Sequence, residues 1–214
     1  SAAFASDLRL PGLRYAAIAQ CPVFGGGIAA VNRDAAARMR GVAAILELPA
    51  TSTSAAAVAV VADSYWRASR ALAAVEITWE EGEHADHDTG EQQARYARLA
   101  RKSGGREYDA AGDVAASFER AADTLEAEYF APYLAHTTME PMNCTALVRS
   151  DGSAAIWVGN QGPPLVRLVA ARAAGLDAEA VTVHTPYLGG GFGRRVEADV
   201  VAQAVMIAAR LHDT

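Results

Sequence analysis

Apolar positions between Leu8 and Glu80 fall into short β-like runs broken by two helical stretches. RYAAIAQ and GIAAVN, separated by the glycines of PVFGGG, predict a pair of strands across a turn or loop. Asp34 reads as an N-cap before AAARMR, with Gly41 as the residue that ends that short helix. VAAILEL and AAAVAVVAD predict buried strands, Asp63 caps a helix through SYWRASRALAA, and VEITWE returns as a strand. From the second strand the order is β-α-β-β-α-β, enough for an α/β unit over residues 1–80 that closes on itself.

The pattern changes at residues 81–112. EGEHADHDTGEQQ is acidic, ARYARLARK is helical and SGGREYDAAGD supplies loop glycines, so this stretch reads as a linker. A helix from Asp113 to Ala122 and a strand TLEAEYF then open a second unit over residues 113–214. Asp151-Gly152 between TALVRS and SAAIWVG predicts a hairpin over residues 145–158, because glycine relieves the steric penalty of a tight turn. Gly162-Pro163-Pro164 starts a helix through LVRLVAARAA that Gly175 stops, and the strand AVTVH feeds the loop PYLGGGFGRR. Both ends read as cuts through longer sequence: the opening SAAFASDLRL looks internal, and VVAQAVMIAARLHDT runs out in helical period without a C-cap.

Composition narrows the field. Half-hydrophobic and about a fifth charged, the 214-residue chain is a folded, soluble type. Its formal net charge of −6 disfavours a nucleic-acid surface, with only Arg194 and Arg195 arguing otherwise. Cys21 and Cys144 are too few for a disulfide framework and read as reduced core residues. No apolar run reaches the roughly 18 residues of a membrane span, and the opening residues lack the pattern of a secretory signal.

The candidate chemistry gathers around GGGFG. Glycines cluster where the backbone must reach positive φ or let a ligand approach closely. A glycine loop between strand and helix directs N–H groups at an anion or a polarised oxygen. It is neither a Walker loop nor GxGxxG, since Arg194 takes the sixth place from Gly189; a plain tight turn is the structural alternative. Gln161 follows the strand AAIWVG, where its amide would emerge at a strand end as a ligand group or as a cap. His136 and Glu140 are either an acid/base pair or part of a buried polar knot. His84, Asp86, His87 and Asp88 have ligand-type side chains but lie in the acidic linker, where a solvated loop is the usual outcome.

PYLAHTTMEPMNCTA, IWVGNQGP and YLGGGFGRR, in this order and spacing, resemble the large subunit of the molybdenum hydroxylases of the xanthine oxidase superfamily, in particular the isoquinoline 1-oxidoreductase β-subunit type. The resemblance covers nearly the whole chain. It implies an α+β protein: an α/β hammerhead domain (1–80), a linker (81–112) and the N-terminal part of a molybdenum-cofactor-binding domain (113–214). It implies that Phe192 and Gly193 lie beside the molybdenum centre with their N–H groups polarising an oxygen on the metal, and that Gly190 and Gly191 permit close approach. It also brings Gln161 to the metal's oxygen ligands, includes Arg194 among the cofactor residues, and leaves Glu140 and His136 as substrate-side candidates. Asn160 stands where the common form has Thr, and Arg194, Arg195 and Val196 replace a Gly-Lys-Glu.

The implied cofactor is molybdenum-molybdopterin in its cytosine dinucleotide form. The implied reaction hydroxylates an N-heterocycle or aldehyde at an electron-poor carbon with water as the oxygen source. The carboxylate base of the family lies in a later Gly-x-Gly-Glu segment that nothing here matches, so no catalytic base is assigned. Two cysteines cannot hold an iron–sulfur cluster, which needs about four thiolates; the clusters belong on a small partner subunit. The expected partners are the rest of the large subunit, that iron–sulfur subunit and a small-molecule substrate, and the isolated chain is expected to be inactive. The alternative is a non-catalytic binding or assembly module with a structural glycine turn.

Overall fold

The computed structural model describes residues 2–102 and 104–211. Parts of three expectations, at Ser1, Ser103 and His212–Thr214, lie outside these residues. The elements run β1 (Tyr15–Gln20), β2 (Gly27–Asn32), α1 (Asp34–Ala37), β3 (Val42–Leu48), β4 (Ala57–Ala62), α2 (Tyr65–Leu72) and β5 (Glu76–Glu80). There follow α3 (Thr89–Ala100), α4 (Val114–Arg120), β6 (Thr145–Val148), β7 (Ala154–Trp157), α5 (Pro163–Ala174), β8 (Val181–His184) and α6 (Asp199–Ala208). The fold mixes helix and sheet. One compact unit joins the chain up to Ala85 with the chain from His136 onward, and Asp86–Ala135 forms another.

In the larger unit β4 is the centre of an antiparallel sheet ordered β1-β4-β3. All six of its residues are buried, so the short run AVAVVA is apolar on both faces. Ala57, Ala59 and Val61 join the main core with Ile156 of β7, Val166 of α5 and Val205 of α6. Val60 faces Ala36 and Ala71, and Ala62 faces Ala17 and Ala68. The alternation of side chains along a strand therefore binds helices to both sides of β4. β2 and β5 form a separate antiparallel ribbon with a bulge between Ile28 and Ala30.

The third sheet, β6-β7-β8, positions the site. β6 and β7 make the predicted hairpin, whereas β7 and β8 run parallel with Trp157 beside His184. The crossover between them is α5, which starts at Pro163-Pro164 and stops at Gly175 with φ +68°. Two neighbouring parallel strands leave a sheet at the same end, so the chains after Trp157 and His184 emerge side by side.

Some expectations differ in detail. The AAARMR helix is only four residues long, and Asp34 is its first residue rather than its cap. The cap of α2 is Ser64, whose hydroxyl accepts from the Arg67 N–H at 3.4 Å, while Asp63 pairs with the Arg67 guanidinium. TLEAEYF forms no strand. Alternation gives it the propensity, but Asp86–Ala135 holds no strand among its described residues to share a ladder. Asp88 caps α3, and no cluster of three His, Cys, Asp or Glu able to hold a metal exists among the described residues. Cys21 and Cys144 are free thiols, and burial pushes Cys144 up to about 12. No described helix is long and apolar enough to cross a membrane.

Candidate functional site

Three segments of the larger unit meet at the end of β7 and β8: Thr138–Glu140, Gly159–Gln161 and Gly189–Arg195. The first turn of chain after β7 is set by Asn160. Its buried amide donates to Val158 O and Thr185 Oγ1, each at 3.0 Å, and its Oδ1 accepts from Gly162 N at 3.1 Å. Asn at this position thus satisfies every polar atom of its side chain and ties the exit of β7 to that of β8.

Gln161 is thereby aimed at the glycine loop. Its Oε1 accepts from Gly193 N at 3.2 Å, and its backbone N donates to Arg195 O at 3.0 Å. The approach depends on Gly191, where a Cβ would stand 2.6 Å from Gln161 Oε1 and 2.8 Å from Cδ. Amide and glycine loop therefore converge on one place.

The loop backbone is unusual in a way that its glycines explain only in part. Gly190 and Gly193 have φ of +99° and +88°, but Phe192 between them sits at +51°, the sole non-glycine in the left-handed region among the described residues. That conformation costs an aromatic residue about 1–2 kcal/mol, and Phe192 is 72% exposed, so burial does not repay it. Strain of this sort concentrates where a loop must present groups to a ligand. The N–H groups of Gly190, Gly191 and Phe192 have no acceptor among the described residues, whereas that of Gly193 is taken by Gln161 and that of Arg194 by Gly191 O at 2.9 Å.

Of the two arginines, Arg194 points to the start of α6. It makes a bidentate pair with Asp199 at 2.9 and 2.7 Å, reaches Glu197 at 3.1 Å, and those carboxylates hold its charge. Arg195 turns inward and its side chain is fully buried. Its Nε donates to Gly190 O at 2.7 Å, Nη1 to Gly159 O at 3.4 Å, and Nη2 to Glu140 O at 2.8 Å and Oε2 at 3.0 Å.

Glu140 and His136, paired in one sequence expectation, are not paired in the structure. Glu140 is buried and takes Ser6 N at 3.2 Å and Asn143 Nδ2 at 3.0 Å on Oε1, with Gly189 N at 3.0 Å and Arg195 on Oε2. His136 is exposed. The polar-knot alternative therefore describes Glu140. Arg195 is absent from the site residues expected from sequence; the only signal for it is a lone Glu in the otherwise uncharged TTMEPM run and an Arg directly behind the loop.

Burial pushes the Glu140 carboxyl up, but the Gly189, Asn143 and Ser6 donors and the Arg195 charge outweigh it and hold it below its ordinary range. Its stabilisation is complete above about pH 4.3, the unperturbed value, and is lost as pH falls through the lowered one. Glu140→Gln should therefore unfold earlier than wild type at neutral pH, with the gap in melting midpoint shrinking as the pH is taken to about 3. A gap that stays constant over that range would contradict an ionised Glu140.

A family model described as the molybdopterin cofactor-binding domain matches residues 99–213. The isoquinoline 1-oxidoreductase subunit beta of Brevundimonas diminuta is 28% identical over 221 residues, covering 100% of this chain and 28% of that protein. A membrane-bound aldehyde dehydrogenase of Gluconacetobacter polyoxogenes, whose name includes pyrroloquinoline quinone, is 28% identical over 214 residues, covering 99% of this chain and 28% of its own. The crystal structure of quinoline 2-oxidoreductase from Pseudomonas putida 86 shares the fold, with a TM-score of 0.71 at 16% identity over 98% of this chain and 31% of that one. The chain spans less than a third of the length of each of these proteins. The family model covers more than half of the 214 residues, and the chain belongs to the family of molybdopterin cofactor-binding domains.

Proposed function

We propose that in the complete protein Gln161 and the Gly190–Gly193 loop hold one side of a molybdenum-molybdopterin cofactor, and that the protein is an oxidoreductase of aldehydes or N-heterocycles. The observation that carries this reading is the Gly193 N to Gln161 Oε1 hydrogen bond beside three backbone N–H groups without an acceptor among the described residues. The bond fixes the carbonyl end of the amide toward the loop and leaves its NH2 end as a donor, the orientation following from the hydrogen-bond network.

The donor set fits the group. It offers N–H groups and no thiolate, imidazole or carboxylate cluster among the described residues, which suits a metal held by the cofactor's own dithiolene sulfurs and presenting oxygen atoms to the protein. When bound, the cofactor supplies the two-electron oxidation of an electron-poor carbon with water as the oxygen source. Gln161 and the Gly191 and Phe192 N–H groups would orient it and favour charge on its oxygens, as fixed donors do without reorganising. The strained Phe192 backbone holds that N–H in place.

The same reading takes residues 1–80 as a hammerhead domain, 81–112 as a linker and 113–214 as the opening of the cofactor domain. It also takes the cofactor as the cytosine dinucleotide form, and puts iron–sulfur clusters on a partner chain because this one has two cysteines.

Gly191→Ala tests it in the complete subunit made in a host that supplies the cofactor. The new Cβ meets the far end of a flexible side chain, so the Gln161 amide swings away and the fold survives. Loss of a hydrogen bond of about 1.5–3 kcal/mol to a charged group predicts roughly ten- to hundredfold weaker molybdenum retention, with the melting midpoint of the cofactor-free protein within about 2 °C of wild type. Metal analysis and visible absorption read the outcome. A wild-type subunit with neither molybdenum nor absorption would instead favour a binding or assembly module.

A further inference from the structure

Arg195 contacts all three segments of the site without being exposed to a ligand. Its guanidinium reaches Gly190 O, Gly159 O and the Glu140 backbone and carboxylate, and its own backbone O accepts from Gln161 N at 3.0 Å. Gly159 is two residues ahead of Gln161, and Gly190 begins the run of unpaired N–H groups. The buried fork therefore spans the two features whose separation defines the cradle. Well-packed apolar side chains can match or exceed a buried ion pair in stability; what they lack is direction. A planar guanidinium fixes several carbonyls at once in one plane, which an ammonium cannot do.

We propose that Arg195, oriented by Glu140, is a positioning residue for the cofactor cradle: it sets the placement of the Gln161 amide against Gly190–Gly193 and acts through them, touching no cofactor itself. This rests on the cofactor reading above. Glu140 serves as the anchor because its backbone N and carboxylate also hold Gly189 from both sides, with Glu140 N to Gly189 O at 3.0 Å and Gly189 N to Oε2 at 3.0 Å.

The test uses the complete, cofactor-loaded subunit with Arg195→Lys, Gln161→Ala and the double variant. The lysine replacement keeps the charge beside Glu140 and loses the fork. Molybdenum retained after gel filtration and the Mo(V) paramagnetic resonance spectrum of dithionite-reduced protein are measured. Each single variant should lower retention roughly tenfold and change the spectrum, and the double variant should be no worse than the poorer single one, because both act on one contact. Losses that multiply, or an Arg195→Lys variant with wild-type retention and spectrum, would overturn the positioning role while leaving the cofactor reading intact. A wild-type subunit without molybdenum would overturn both. If Arg195→Lys does not fold, Glu140→Gln replaces it: the amide removes the charge that orients the guanidinium and turns an NH2 group toward one of the two donor pairs on the carboxylate, Ser6 N with Asn143 Nδ2 or Gly189 N with Arg195 Nη2, and the same non-multiplying pattern with Gln161→Ala is required.

Discussion

Arg195→Met is expected to destabilise the protein by about 3–5 kcal/mol, the cost of leaving one member of a buried ion pair unpaired. For a chain of this size that lowers the melting midpoint by about 6–20 °C. Methionine is long and adaptable enough to fill the space, so the loss is polar rather than a cavity effect. Gly159 O and Gly190 O lose the donor that Arg195 gives them, and the Glu140 carboxylate keeps only the Ser6, Asn143 and Gly189 donors. Arg194→Met is the natural control. It removes the same charge one residue earlier, but the Arg194 side chain is 24% exposed and its bidentate pair with Asp199 lies at the edge of α6, so a smaller loss of about 1–2 kcal/mol is expected. Thermal unfolding followed by circular dichroism separates the two. Equal shifts would mean that charge, and not the buried fork, is what matters.

Those neighbouring arginines show where sequence reading reaches its limit. The hairpin at Asp151-Gly152 and the Pro-Pro start and Gly175 stop of α5 are legible because each depends on local backbone chemistry. So is the glycine loop, since left-handed φ at Gly190 and Gly193 needs no neighbour to explain it. The meeting of Gln161 with that loop is legible only through motif resemblance; its physical cause is the parallel pairing of β7 with β8, and a pairing is a tertiary fact. TLEAEYF fails for the converse reason, having strand propensity without a strand beside it. Arg194 and Arg195 are the same residue type in the same loop, and which one turns inward is decided by where Glu140 sits, 55 residues away in sequence.

Gly189→Ala should produce the second large loss, about 3 kcal/mol or more, from an added methyl group alone. Its Cβ would lie 2.4 Å from Glu140 Cβ, 3.2 Å from Glu140 N and 3.4 Å from Cα, so the obstacle is main chain and its first side-chain carbon rather than a movable tip. Gly189 does not have a positive φ, which makes the cost one of contact and not of backbone conformation. To relieve the overlap the two segments must part, and the reciprocal hydrogen bonds between Gly189 and Glu140 stretch with them. The carboxylate then also shifts from Arg195. Combining Gly189→Ala with Arg195→Met should therefore cost less than the sum of the two, because both open the same knot. Gly191→Ala, two residues on, should barely move the melting midpoint, since the nearest atom there is a flexible amide. A midpoint for Gly189→Ala as close to wild type as that of Gly191→Ala would mean the loop is not packed against Glu140, and the three-segment site would have to be abandoned.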